Sequence, residues 1–260
     1  MGKNKKVEKT KTIFDPVLAP LKLRGAAYFV DIILFIILFT GVLLLASFLV
    51  GFQDNYELLQ EMYIKYGVYI GSSSGGYNLC NTSEEVCQNA WKEFFKDDLA
   101  FSYYSNSIQL ILHMFAITAV ISSFIYEFLI PTFLGNGQTI GMKIMKVCLV
   151  NEENYRISNI QLFSRFLFGK LLINLLIPIL AAIYFVFYGG NLIALLVIIS
   201  IPLINIIMTV YTKTKSGIAN TIGKVVAVSM EETYIFDSRE AYISAKCEQD
   251  RLDAQSKKTW

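Results

Sequence analysis

Charged residues are scarce in this chain. Lys, Arg, Asp and Glu make up 17% of its 260 residues, and the net charge is +2. A balance this close to neutral offers no basic surface for nucleic acid, so we expect no nucleic-acid partner. The chain has one histidine and four cysteines, without the spacing of a metal site. No nucleophile and base pair stands out either, so the sequence predicts neither an enzyme nor a bound cofactor.

Apolar residues are abundant instead, at 54% of the chain, with a mean hydropathy of +0.48. Four apolar runs are long enough to cross the hydrocarbon core of a bilayer, which takes about 20 helical residues. They cover about 25–50, 107–130, 163–188 and 191–212. The sequence therefore predicts an all-α polytopic membrane protein with four transmembrane helices. The first run is too long for the apolar part of a signal peptide.

Lysine placement predicts the orientation. The first 24 residues hold seven basic residues and two acids, whereas 51–106 holds three lysines and eight acids. The positive-inside rule then places both termini in the cytoplasm, most simply of a bacterial cell membrane. We divide the chain into a basic cytoplasmic arm (1–23), a membrane domain (24–228) and a charged cytoplasmic tail (229–260). The membrane domain includes a long outer loop (52–106) and an inner loop (131–162).

A carboxylate lies inside the first predicted helix. Arg24, Ala27 and Asp31 share one helix face, and no charged residue follows Asp31 before position 51. An unpaired aspartate at this depth costs about 2.5 to 3.5 kcal/mol, so polar groups should face it. Counting from the inner surface, the candidates at a similar depth are Lys170, Asn174 and Asn205. We expect Lys170 to approach Asp31, and Arg24 to reach the inner lipid headgroups.

A glycine-rich turn in the inner loop comprises Gly137, Thr139, Gly141 and Lys143. Met142 separates Gly141 from Lys143, so the turn is not a nucleotide-binding Walker A loop. The Val-rich stretches at 144–150 and 225–228 read as short strands that could pair into a small sheet. In the outer loop, Cys80 and Cys87 are candidates for a disulfide if that face is oxidising.

These features together resemble the RDD family of membrane proteins. The matching residues are Arg24, Ala27 and Asp31 in their spacing, the turn from Gly137 to Lys143, the strand behind it, and Arg165 at the head of span three. The resemblance implies a second aspartate, and Asn220 stands at that position here. The family's activity is poorly defined, with transport often suggested, so the resemblance implies an architecture more than a function.

Two hypotheses on function follow. The first is a non-catalytic subunit or scaffold of a membrane complex, in contact with lipids and with other subunits or a second copy, in which Asp31 is a structural polar anchor. The second is a transporter that binds a small cation or proton at Asp31. An enzyme is the least favoured hypothesis, because Glu127 is a single acid near the inner surface without a nucleophile and base pair. We interpret it as a structural, snorkelling carboxylate.

Overall fold

The computed structural model describes residues 14–68, 79–187 and 192–258. Most of these residues are helical, and four of the helices are long and apolar enough to cross a membrane. They are Leu21–Val50, Asp98–Leu134, Asn159–Phe185 and Leu192–Tyr211, which we call spans one to four. The predicted four helices are confirmed. Most of the predicted basic arm, at 1–13, and the link at 189–191 lie outside the described residues.

The described elements comprise helices and one pair of strands. In chain order the helices and strands are α1 (Leu21–Val50), α2 (Phe52–Tyr66), α3 (Glu84–Lys96), α4 (Asp98–Phe124), α5 (Ile130–Leu134), α6 (Ile140–Ile144), β1 (Val147–Asn151), α7 (Asn159–Ser164), α8 (Ile177–Phe187), α9 (Leu192–Tyr211), α10 (Ile218–Ile222), β2 (Val225–Ser229) and α11 (Arg239–Lys258). A short 3₁₀ turn covers Leu79–Asn81. Two π-helical segments, Ile125–Leu129 and Arg165–Leu176, lie within spans two and three.

The chain forms two compact units. One comprises Met1–Phe35 and Ser123–Trp260, and the other Ile36–Ser122. The first unit therefore holds the beginning of α1, the end of span two, spans three and four and the tail. The candidate site described below lies wholly within this first unit.

A two-stranded antiparallel sheet lies in the first unit. β1 and β2 pair from Val147 opposite Ser229 to Asn151 opposite Val225, and all ten residues are buried. The prediction of a small sheet is confirmed, but β1 begins at 147 rather than 144. Ile140–Ile144 form the short helix α6, and Lys146 has a φ of 55°, which no β-strand accommodates.

The second unit has an aromatic core of its own. Leu59 of α2, Ala90 and Phe94 of α3, and Ala100 of α4 are buried together with Val68. Partly buried tyrosines and a tryptophan pack around them, namely Tyr63, Tyr66, Trp91, Tyr103 and Tyr104. A disulfide joins Cys80, in the 3₁₀ turn, to Cys87 in the first turn of α3.

Asp97 connects the helices of this second unit. Its carboxylate accepts hydrogen bonds from the Tyr66 hydroxyl (2.5 Å), the Lys65 ammonium (3.1 Å) and the backbone N–H of Leu99 (2.9 Å). These donors, with the Tyr66 hydroxyl first, hold the pKa of Asp97 well below its usual value. The ionised carboxylate therefore joins the end of α2 to the start of α4.

Candidate functional site

Asp31 accepts three hydrogen bonds from its own chain. Oδ1 accepts from the Tyr126 hydroxyl at 2.7 Å and from the backbone N–H of Gly141 at 2.8 Å. Oδ2 accepts from the Thr139 hydroxyl at 2.6 Å. An ionised carboxylate has about four lone-pair positions, so three of them are filled by span two and by the turn that follows it.

Local sequence shapes this turn to meet the carboxylate. Thr139 is the N-cap of α6, and because its hydroxyl oxygen accepts from the Met142 backbone N–H, its proton is left for Asp31. A Cβ on Gly141 would collide with the backbone carbonyl of Ala27 and would lie 2.7 Å from Asp31 Oδ1. Only glycine therefore lets the backbone of α6 approach span one this closely.

Two other residues of the predicted turn, Gly137 and Lys143, contribute to local structure. Gly137 has a φ of 58°, and a Cβ there would overlap the side chain of Ile157. Lys143 is exposed in the last turn of α6, where a cation complements the helix dipole. The turn therefore packs closely against span one through Gly141 and against the sheet through Gly137.

The expected partners of Asp31 are corrected by the structure. Lys170 donates to Glu127 instead, at 2.8 Å from Nζ to Oε1. Asn174 and Asn205 hydrogen-bond to each other, at 2.7 Å. The prediction was wrong because it compared only the depth of each residue along its helix and ignored how each helix is rotated about its axis. It also left out the Tyr126 hydroxyl and the polar groups of the inner loop.

Glu127 is the centre of a buried ion cluster rather than a lone snorkelling acid. Besides Lys170, its other oxygen lies 3.6 Å from Nη1 of Arg165. The Arg165 side chain is only 2% exposed, and the Glu127 side chain 19%. One carboxylate thus faces both cations of span three, within an interior where unpaired charge is costly.

The π-helical segments explain how these side chains meet. Glu127 lies in the π segment of span two, and Arg165 and Lys170 lie in that of span three. In an α-helix, residues five apart point about 140° away from each other. The i to i+5 hydrogen bonding of a π-helix brings them towards one face, so both cations of span three can reach the same carboxylate.

Asn220 completes the surroundings of Arg165. The Arg165 Nε donates to Asn220 Oδ1 at 2.9 Å, across 55 residues of sequence. Next to this bond, α10 packs closely on span three, since a Cβ on Gly169 would lie 2.6 Å from the Ala219 Cβ. The residue at the position of the implied second aspartate is therefore a partner of the buried arginine.

Asn205 also holds the start of α10. Besides donating to Asn174, Asn205 accepts from the backbone N–H of Ile218 at 3.0 Å. Span four is thereby joined both to span three and to α10. The amides of Asn174 and Asn205 are part of the packing of this unit.

Arg24 does not point away from the protein. Its Nη1 donates to the backbone carbonyl of Lys215, just beyond span four. Its Nε and Nη2 are buried, and no residue in the described ranges accepts a hydrogen bond from them. The expectation that Arg24 reaches the headgroups is corrected in this respect: the side chain turns into the protein.

These groups surround one cavity of about 720 Å³. Its charged lining consists of Arg24, Asp31, Glu127, Arg165, Lys170 and Lys215, and its amide lining of Asn174, Asn205 and Asn220. Most of the remaining lining is apolar, with contributions from all four spans, from the 137–143 turn and from both strands. The structure thus brings the predicted polar residues around a common space, although not into direct contact with Asp31.

Two features escaped sequence reasoning, namely the contact of Tyr126 with Asp31 and the pairing of Glu127 with two cations. Glu127 is the only charged residue between Asp98 and Lys143, and Arg165 and Lys170 are the only ones between Arg156 and Lys213. Pairing isolated opposite charges in neighbouring spans would have found this cluster. The tyrosine carries no comparable signal.

Comparison with known proteins agrees with this architecture. The model of the RDD family matches residues 18–193, more than half of the chain and including Arg24, Asp31, the 137–143 turn and Arg165. A search of curated proteins and a search of solved structures each found no match. The extent of the family match, over helices that can span a membrane, shows that this integral membrane protein belongs to the RDD family.

Proposed function

We propose that this protein is a non-catalytic subunit or scaffold of a complex in a bacterial cell membrane, and that Asp31 is its structural anchor. The observation that carries the proposal is the threefold hydrogen bonding of the Asp31 carboxylate. One of the three donors is a backbone N–H, which cannot leave without moving α6. A carboxylate held this way favours fixed packing over the exchange of a proton or cation.

The remaining contacts support the same role. Arg165 with Asn220, and Asn205 with Ile218, join the spans to the segment around α10 and β2. The lysine bias of the sequence supports a cytoplasmic position for this segment and for the tail helix α11. Over residues 239–255, α11 exposes charged side chains together with Ile243 and Leu252, a surface suited to holding a partner protein.

The experiment is purification of the tagged full chain from its native membranes in a mild detergent, with quantification of the proteins that travel with it. We expect a reproducible companion at a fixed ratio. The Asp31→Asn variant, which keeps a polar group of the same size, should retain that companion in proportion to its folded yield. A well-folded protein recovered alone would overturn the proposal.

A small-cation or proton-coupled transporter is the second candidate. The cavity favours it, because Asp31 and Glu127 both line a space between the spans. The charge balance ranks it second, since the lining holds two more cations than carboxylates. Flux driven by pH or sodium in proteoliposomes tests it. Equal rates for the wild type, Asp31→Asn and Glu127→Gln would end this candidate.

A further inference from the structure

Arg24 lines the cavity, and its guanidinium is only partly paired. Nη1 is committed to the Lys215 carbonyl, while Nε and Nη2 are buried without an acceptor in the described part of the chain. Nε and Nη2 form the side of the guanidinium that binds two oxygens of a phosphate or carboxylate at once. A permanently charged group that is buried and half-paired is costly unless a ligand completes it.

The surrounding charges favour an anion. Asp31 accepts hydrogen bonds from three neutral donors, and Glu127 is shared by Lys170 and Arg165. Neither carboxylate accepts a hydrogen bond from Arg24 in the described part of the chain. The charged lining of the cavity holds four cations, counting Lys215, and two carboxylates, so it carries an excess of positive charge.

The layout of the lining indicates what carries the anion. Arg24 is the fourth residue of α1, and Lys215 follows the end of span four, so both lie at the same end of the spans. Ile32 and Phe35 line the cavity about 12 to 16 Å further along α1. A charged end that continues into an apolar wall of this length matches a phospholipid, with its phosphate at Arg24 and its acyl chains beyond.

We propose that this cavity binds a phosphate ester through the Nε and Nη2 edge of Arg24, and that its source is an anionic phospholipid of the surrounding leaflet. The lipid would complete the guanidinium and seal the junction between span one and the segment after span four. This inference does not depend on whether the protein holds a partner.

The test uses the purified, delipidated full chain and equilibrium binding followed by native mass spectrometry. The probes are phosphatidylglycerol, phosphatidylcholine and soluble glycerol phosphate. We expect phosphatidylglycerol to bind in preference to phosphatidylcholine. Arg24→Gln should weaken that binding roughly tenfold, as expected for loss of a charge-assisted pair. Arg24→Lys, which keeps the charge and loses the two-pronged edge, should fall between.

Lys22→Gln is the matched control, because Lys22 is an exposed cation two residues away that does not line the cavity. It should change binding less than twofold. Equal weakening by Lys22→Gln and Arg24→Gln, or no preference of the wild type for either anionic probe over zwitterionic phosphatidylcholine, would overturn the proposal. Binding of glycerol phosphate alone, with the same dependence on Arg24, would support the phosphate site and assign it to a soluble ester. The wild-type comparison stands even if Arg24→Gln fails to fold.

Discussion

Replacing Asp31 by leucine should destabilise the protein far more than replacing it by asparagine. Leucine removes both acceptor oxygens and strands the Tyr126 hydroxyl, the Thr139 hydroxyl and the Gly141 N–H. A buried donor left without an acceptor costs about 1 to 3 kcal/mol, and the two hydroxyls can rotate to recover part of it. The expected loss is therefore roughly 3 to 6 kcal/mol for leucine.

Asparagine keeps an oxygen that can accept from Tyr126 and Gly141, and its amide can donate to the Thr139 oxygen. We expect Asp31→Asn to lower the free energy of unfolding by about 1 to 2 kcal/mol, mainly because the hydrogen bonds lose their charged acceptor. The free energy of unfolding can be measured by titrating purified protein in mild detergent with a denaturing detergent. Equal losses for the two variants, or a negligible loss for leucine, would refute the reasoning.

A double-mutant cycle separates lost hydrogen bonds from altered packing. Tyr126→Phe should be destabilising in the wild-type background, because it removes one donor to the carboxylate. In the Asp31→Leu background the same change should be neutral or stabilising, since it removes a hydroxyl that already lacks its acceptor. Additive effects would mean that the two side chains do not interact.

Three further predictions concern single positions. Gly141→Ala should reduce the folded yield severely, because its Cβ would meet the backbone of span one. Gly25→Ala, whose Cβ would have no atom within 4 Å, should not. Size-exclusion chromatography of the two variants measures the folded yields. Glu127→Gln should cost about 3 kcal/mol by leaving a buried cation uncompensated, and Lys170→Gln clearly less, in the detergent titration above. Hydrogen bonds depress the pKa of Asp97 in the folded protein. Its contribution to the free energy of unfolding is therefore complete above the pKa of the unfolded chain, about 4, and is lost progressively as the pH falls below that value. Thermal unfolding followed by aromatic circular dichroism should show this acid dependence, and Asp97→Asn should flatten it.

The sequence predicted elements better than partners. Long apolar runs identify the four spans, and Val-rich stretches identify the sheet, because both signals are local. The neighbours of Asp31 are not local: Thr139 is 108 residues away, and its hydroxyl reaches the carboxylate only because the turn folds back onto span one. Helix rotation and π-helical geometry, which bring Lys170 to Glu127, leave no periodic mark in the sequence.

The account's central claim is that Asp31 fastens the 137–143 turn to the first span. Hydrogen–deuterium exchange of the peptide that contains Gly141, measured by mass spectrometry in detergent, tests it most directly, because that N–H donates to the carboxylate. We expect slow exchange in the wild type, intermediate exchange in Asp31→Asn, and fast exchange in Asp31→Leu, with the β1 peptide protected in folded samples of all three. Equally slow exchange of the Gly141 peptide in the wild type and Asp31→Leu would contradict the claim.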